Sequence, residues 1–155
     1  MKRLGSKAIG AAVLAGVALL AGERTYADEF DHPTKCTLMT LKGQYLFATN
    51  GTLFPPAFGV TEQSVSDAAG YSVYNGDGTG SDWVTFTVNG INVGVTSPTP
   101  TKYTLNSNCT GTRTVLPDGP HFNIFVAIDG SALTEISTDT GFAVSSFDKR
   151  VGSDR

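Results

Sequence analysis

The fold class is decided by residues 83–96, WVTFTVNGINVGVT. The pair Asn89-Gly90 is favoured in two-residue type I′ hairpin turns, because both positions need a positive φ angle. With this turn, six aliphatic or aromatic side chains fall on one face in three cross-strand pairs: Val88 with Ile91, Phe86 with Val93, and Val84 with Val95. The polar residues between them fall on the other face. Because one register satisfies both the turn and the burial pattern, we predict a β-hairpin with an apolar inner face.

The same alternation recurs along most of the chain, with Gly, Asn and Asp turns between the alternating segments. It indicates strands at residues 41–49, 69–74, 102–105, 112–116, 121–128, 133–138 and 142–148, and a further short strand near 58–61. Residues 54–56 and 97–100 contain prolines and are predicted as loops or rims. The short strands and tight turns predict an all-β domain. We expect a single eight-stranded antiparallel up-and-down barrel, with a β-sandwich as the alternative.

The N-terminus has the composition of a secretory signal peptide. Lys2, Arg3 and Lys7 make it positive, residues 8–22 are apolar and uncharged, and Thr25 and Ala27 suit cleavage after residue 27. This apolar run is shorter than the roughly 20 residues that a membrane-spanning helix needs. We therefore expect export to the periplasm or the cell exterior, without membrane insertion after cleavage. Residues 28–35 are then a flexible leader, 36–150 the barrel domain and 151–155 a C-terminal tail.

The net charge and the cysteine content restrict the classes of partner and cofactor that we expect for this protein. After removal of residues 1–27, seven basic and 13 acidic residues remain, which gives a formal net charge of −6. An acidic surface repels nucleic acids and anionic membranes, so neither is expected as a partner. Cys36 and Cys109 are both in the exported part and are expected to form one disulfide. Neither His32 nor His121 is at metal-site spacing from a cysteine, and no metal or cofactor is predicted.

Four segments of the chain, in the order in which they occur, resemble segments of a known group of proteins. They are LKGQYLF at residues 41–47, DGTG at 77–80, NCTGT at 108–112 and ISTDTG at 136–141. Together they resemble small secreted bacterial proteins with an allene oxide cyclase-like (calycin-type) β-barrel. The resemblance covers most of residues 36–150 and rests largely on turns and strand edges. It implies a barrel class that includes cofactor-free cyclases and proteins that hold hydrophobic small molecules; no catalytic motif of that class maps onto this chain.

Glu135 is the leading candidate for chemistry. If Asp129-Gly130 is a two-residue turn, Ile124 pairs with Glu135, and the carboxylate falls on the apolar face. Burial there raises the pKa of a carboxyl group, which suits a general acid or base. A three-residue turn shifts the register by one, so that Ile136 points inward and Glu135 is an ordinary surface charge. Tyr45 and His121 are the candidates to act with Glu135, although His121 alternates away from Phe122 and is expected at the rim.

Apolar strand residues are the candidates to line a ligand cavity. An eight-stranded barrel has an interior that side chains either fill or leave open for one small ligand. The predicted ligand-binding residues are Phe47, Tyr71, Phe86, Phe122 and Ile124, with filling of the core as the alternative for each. Trp83 falls on the face opposite Phe86 and is expected to be a rim anchor or a subunit contact.

Three functions are consistent with these features. The first is an exported barrel that binds a small, largely hydrophobic molecule in its interior. The second is a cofactor-independent lyase, isomerase or cyclase that acts on such a molecule with Glu135 as general acid or base. The third is a structural or self-associating extracellular protein, and a homo-oligomer stays open in every case.

Overall fold

A computed structural model describes residues 35–94 and 98–152, and nine antiparallel strands make up most of these residues. They are β1 (Gly43–Leu53), β2 (Ser64–Tyr74), β3 (Thr79–Val88), β4 (Ile91–Gly94), β5 (Thr99–Leu105), β6 (Thr110–Val115), β7 (His121–Val126), β8 (Ala132–Ser137) and β9 (Phe142–Val151). Two short 3₁₀ helices, Leu38–Leu41 and Ala57–Gly59, precede β1 and β2. The predicted signal peptide at residues 1–27, nearly all of the leader and residues 153–155 of the tail lie outside the described residues.

Eight of these strands close into a barrel. Neighbours pair antiparallel in the order β1-β2-β3-β5-β6-β7-β8-β9, and β9 pairs with β1 to complete the ring. The remaining strand, β4, pairs with the end of β3 and lies outside the ring. The prediction of an eight-stranded antiparallel up-and-down barrel is confirmed, and the sandwich is not the architecture.

The hairpin of β3 and β4 follows the predicted register only at its turn. Val88 lies opposite Ile91 as predicted, but a bulge between Phe86 and Thr87 places Gly94 opposite Phe86, where Val93 was expected. Ile91 and Val93 are 68% and 54% exposed, so the prediction that they share the buried face is wrong. The reason is that β4 extends beyond the barrel wall, where no core covers it, and a bulge changes which side chains face inward. The predicted pair of Val84 with Val95 lies outside the described residues.

Three predicted boundaries also differ from the structure. Leu41 belongs to the first 3₁₀ helix and not to β1, and residues 57–59 form the second 3₁₀ helix in place of the short strand expected near 58–61. Pro100 lies inside β5, opposite Ser81, although residues 97–100 were predicted as a loop. It is the second residue of that strand, and the start of a strand tolerates proline. No helix in the described ranges is long and apolar enough to cross a membrane.

One end of the barrel interior is filled by large side chains. Tyr74 packs edge-on against both Tyr45 and Tyr103, with ring centroids 5.4 and 5.1 Å apart. Leu41 is fully buried among the core residues, which places the first 3₁₀ helix over this end. The predicted disulfide is present between Cys36 and Cys109, and it joins the segment before that helix to the turn between β5 and β6. We call this part of the interior the filled end.

Candidate functional site

A cavity of about 260 Å³ lies inside the barrel. Its apolar wall comes from β1, β3, β7, β9 and the second 3₁₀ helix, and the main contributors are Phe47, Phe58, Val84, Phe86, Phe122 and Phe142. The tyrosines of the filled end do not line it. This volume is slightly below the range of pockets for drug-sized ligands, so it suits a small organic molecule.

Phe58 marks the place where the cavity reaches the surface. Its ring lines the cavity yet is 58% exposed, and it packs against Phe86 and Phe142 with centroid distances of 5.8 and 5.1 Å. The φ angle of Phe58 is +50°, in the left-handed region that non-glycine residues rarely adopt. The second 3₁₀ helix therefore holds an aromatic ring at the cavity mouth.

Four charged side chains from different strands form another part of the cavity wall. They are Asp82 on β3, Arg113 on β6, Glu135 on β8 and Asp148 on β9, and each is at most 5% exposed. We call these four residues the charged cluster. Strand alternation positions them, because each shares its face with inward apolar residues of its own strand. The cavity wall therefore combines many apolar side chains with four buried charged ones.

Arg113 holds two of the carboxylates. Its Nη1 donates to Glu135 Oε2 at 2.9 Å, and its Nη2 donates to Asp82 Oδ2. The Tyr74 hydroxyl donates to the other oxygen of Glu135 at 3.2 Å, which links the cluster to the filled end. Asp148 accepts from the Ser146 hydroxyl at 2.6 Å and has no cationic partner among the described residues.

Several polar atoms on this wall are buried without a partner. Ser72 Oγ, Asp82 Oδ1 and Arg113 Nε have no hydrogen-bond partner within residues 35–94 and 98–152, and all three residues line the cavity. A buried polar atom without a partner costs about 1–3 kcal/mol, and such atoms often mark functional positions.

Burial and nearby charges shift the pKa values of Asp148, Glu135, Tyr74 and Arg113. Burial, and then the nearby charge of Glu135, raise the pKa of Asp148 from 3.8 to about 7. Burial also raises the pKa of Glu135, although the Arg113 guanidinium opposes this. Burial and the Glu135 charge raise the pKa of Tyr74 well above its ordinary value, so its hydroxyl keeps its proton. Although burial disfavours the guanidinium, the charge of Glu135 keeps the pKa of Arg113 above its ordinary value, so Arg113 stays a cation.

The three predicted catalytic residues are not brought together. Glu135 lies opposite Ile124, in the predicted register, and lines the cavity. Tyr45 lies at the filled end, where its hydroxyl donates to the Gly130 carbonyl and accepts from the Arg150 guanidinium. His121 is on the outer face, with a 57% exposed side chain whose Nδ1 is 2.9 Å from an Asp139 oxygen. A joint role of these residues as acid and base at one site therefore lacks the necessary proximity.

The five predicted ligand-binding residues divide between the cavity and other places. Phe47, Phe86 and Phe122 line the cavity. Tyr71 is on the outer face and stacks on Trp83, with ring centroids 4.8 Å apart. Ile124 is fully buried in the core and does not contribute to the cavity wall.

Three members of the charged cluster were missed by the sequence prediction. The signal was present, because strand alternation places Asp148 on the face of Phe142 and Val144. The same alternation places Asp82 with Val84 and Arg113 with Val115. A charged residue on an apolar face is the pattern that identified Glu135, and it applies equally to these three.

No protein-family profile, curated protein or solved structure matches the chain. Within the described residues, no group of histidine, cysteine, aspartate or glutamate side chains is arranged to hold a metal ion. The described lining of the cavity combines an apolar wall with three acidic groups and one guanidinium.

Proposed function

We propose that this barrel binds a small, largely hydrophobic molecule in its interior, with a polar group of that molecule against the charged cluster. The observation that carries the proposal is a cavity of about 260 Å³ that is lined mainly by aromatic and aliphatic side chains and also by four buried charged ones. Aromatic and aliphatic walls favour apolar ligands, because binding removes apolar surface from water. A few converging polar groups then fix the ligand's orientation.

Export to the periplasm or the cell exterior forms part of the same proposal. The Cys36–Cys109 disulfide fits an oxidising compartment, and residues 1–27 have the composition of a signal peptide. A barrel outside the cytoplasm meets small molecules that diffuse in from the surroundings. Sequestration of such a molecule requires a shaped cavity and no cofactor.

Binding of 1-aminoanthracene tests the proposal, because this neutral aromatic amine becomes more fluorescent in apolar surroundings. Two variants on β2 form a matched pair: Ala68→Phe projects into the cavity, whereas Ala69→Phe places the same ring on the exposed outer face. We expect saturable binding by the wild type and by Ala69→Phe. Binding by Ala68→Phe should be at least about ten-fold weaker, because the added ring occupies the cavity.

Circular dichroism and thermal unfolding establish that both variants fold. Absence of saturable binding to the wild type would overturn the proposal, as would equal affinities of the two folded variants. The alternative, cofactor-free lyase, isomerase or cyclase chemistry at Glu135, stays a prediction that loss of turnover in Glu135→Gln would support.

A further inference from the structure

The charged cluster carries an excess of negative charge. Asp82, Glu135 and Asp148 are acidic, and Arg113 is the only basic side chain in the described lining of the cavity. Its two terminal nitrogens are already engaged by Glu135 and Asp82. Once Asp148 is ionised, a ligand carboxylate would therefore enter as a fourth anion next to a single cation. Charges buried at this depth interact strongly, because water screens them little.

The hydrogen-bonding capacity of the cluster points in the same direction. Asp82 Oδ1 is a buried acceptor that lacks a donor within the described residues, and Asp148 has a hydroxyl but no cation beside it. An ammonium group brings three donors and one positive charge. It would give Asp148 a charge partner and provide Asp82 with a donor. A carboxylate brings acceptors alone. The Arg113 Nε–H group and the Ser72 hydroxyl can donate to it, but its charge adds to that of the three acidic groups.

We infer that the cavity selects a small apolar molecule with a primary amine over one of equal size with a carboxylate. The inference rests on the proposed function, since it names the polar group of the same ligand. We expect a neutral alcohol to bind more weakly than the amine and more tightly than the carboxylate. Its hydroxyl donates to Asp82 Oδ1 and accepts from Arg113 Nε without adding charge.

The protonation of Asp148 makes this selection depend on pH. The ionisable groups that act on Asp148 are Glu135 on β8, Arg113 on β6, Asp82 on β3 and Tyr74 on β2. Because the pKa of Asp148 is about 7, its carboxyl group ionises between pH 6 and pH 8. The preference for an amine over a carboxylate should therefore increase over this range.

Three naphthalene compounds of nearly equal size provide the test: 1-naphthylmethylamine, 1-naphthylmethanol and 1-naphthoic acid. Each is measured at pH 6 and pH 8 by displacement of 1-aminoanthracene and by calorimetry. At pH 8 we expect the amine to bind at least about ten-fold more tightly than the acid, with the alcohol in between. Asp148→Asn should reduce this ratio by at least about three-fold. Asp67, an exposed acid on the outer face of β2, provides the matched control. Asp67→Asn should leave the ratio of amine to acid affinity unchanged.

The outcomes separate this inference from the function on which it rests. If none of the three compounds binds, the proposed function fails. If the alcohol binds and the acid binds as tightly as the amine, the function stands and the inference is overturned. If Asp148→Asn does not fold, the wild-type ratio at the two pH values decides, because a ratio that does not rise with pH removes Asp148 from the selection.

Discussion

Asp148 is buried beside other anions, and this makes it costly to ionise. It is 1% exposed, and its hydrogen-bond partner is the neutral Ser146 hydroxyl. Arg113 contacts Glu135 and Asp82 and not Asp148, so the single cation of the cluster does not neutralise it directly. A buried carboxyl group in such surroundings takes up a proton more readily than it would in water.

Stability should therefore fall as the pH rises through the range in which Asp148 ionises. The pKa of Asp148 is raised in the folded state from 3.8 to about 7, so the folded protein binds more protons than the unfolded chain between these values. This lowers the free energy of unfolding on going from pH 4 to pH 8, by an amount on the order of 2–4 kcal/mol for this group. Asp148→Asn removes that contribution and keeps an oxygen that accepts from Ser146.

Urea unfolding of wild type and Asp148→Asn at pH 4 and pH 8 measures the effect. We expect the variant to be more stable than the wild type at pH 8 and close to it at pH 4. Asp67→Asn, which makes the same change on the exposed face of β2, should follow the wild-type profile. If the difference in free energy of unfolding between wild type and Asp148→Asn does not vary with pH, the raised pKa of Asp148 is contradicted.

Strand alternation predicted the position of Glu135 but not the contacts that determine its chemistry. Its inward placement and its pairing with Ile124 agree with the two-residue turn, one of the two registers that the sequence left open. Arg113 reaches it from β6 across the intervening strand β7, and Tyr74 reaches it from β2, so both contacts depend on the pairing of strands that the hairpin register does not specify. The same limitation explains Tyr45, which faces inward as predicted but lies at the filled end.

At the scale of elements, the loop between β7 and β8 is fixed to the filled end of the barrel. The Gly130 carbonyl accepts from the Tyr45 hydroxyl at 2.5 Å, and Arg150 donates to Tyr45 and to the Thr40 carbonyl. Gly130 has a φ angle of +66° and is buried, and a Cβ at this position would overlap the Thr40 carbonyl oxygen. The loop therefore needs glycine both for its backbone angle and for the close approach of the first 3₁₀ helix.

Gly130→Ala should destabilise the protein more than Gly90→Ala. Gly90 also has a positive φ angle, +77°, but no atom lies within 4 Å of a Cβ built there. Alanine at Gly90 should therefore destabilise the protein only through its unfavourable positive φ angle, by roughly 1–2 kcal/mol. At Gly130 the same cost is joined by displacement of the Thr40 carbonyl, so we expect a further loss of about 2 kcal/mol or more. Urea unfolding of both variants measures the difference, and equal losses would show that the close contact has no energetic role.

The two hairpins show why one register was predicted correctly and the other only in part. Both arms of the β7–β8 hairpin belong to the closed ring, so burial on the inner face enforces strict alternation. In the β3–β4 hairpin, β4 lies outside the ring, and its exposed side chains put no such constraint on the register. Alternation therefore predicts register reliably for strands that bury one face, and a sequence does not show which strand the barrel leaves out.

The barrel interior is divided between the packed filled end and the cavity that we propose as the binding site. The filled end contains the packed tyrosines, and the segment from Cys36 to Leu41 lies across it. That segment is held by the disulfide, by a hydrogen bond from Tyr103 to the Leu38 carbonyl, and by Arg150 at Thr40. The cavity has none of these residues in its wall.

This division predicts that loss of the disulfide weakens the fold and leaves the cavity intact. Cys36 and Cys109 are 73 residues apart, and a crosslink across a loop of this length stabilises a protein by about 4 kcal/mol through the entropy of the unfolded chain. The double variant Cys36→Ser, Cys109→Ser should lose a comparable free energy of unfolding in urea while still binding 1-aminoanthracene with wild-type affinity. Wild-type protein reduced with dithiothreitol is the matched control and should behave like the variant in both measurements. Loss of dye binding under conditions where circular dichroism shows the folded barrel would mean that the filled end and the cavity are coupled, because neither cysteine lines the cavity.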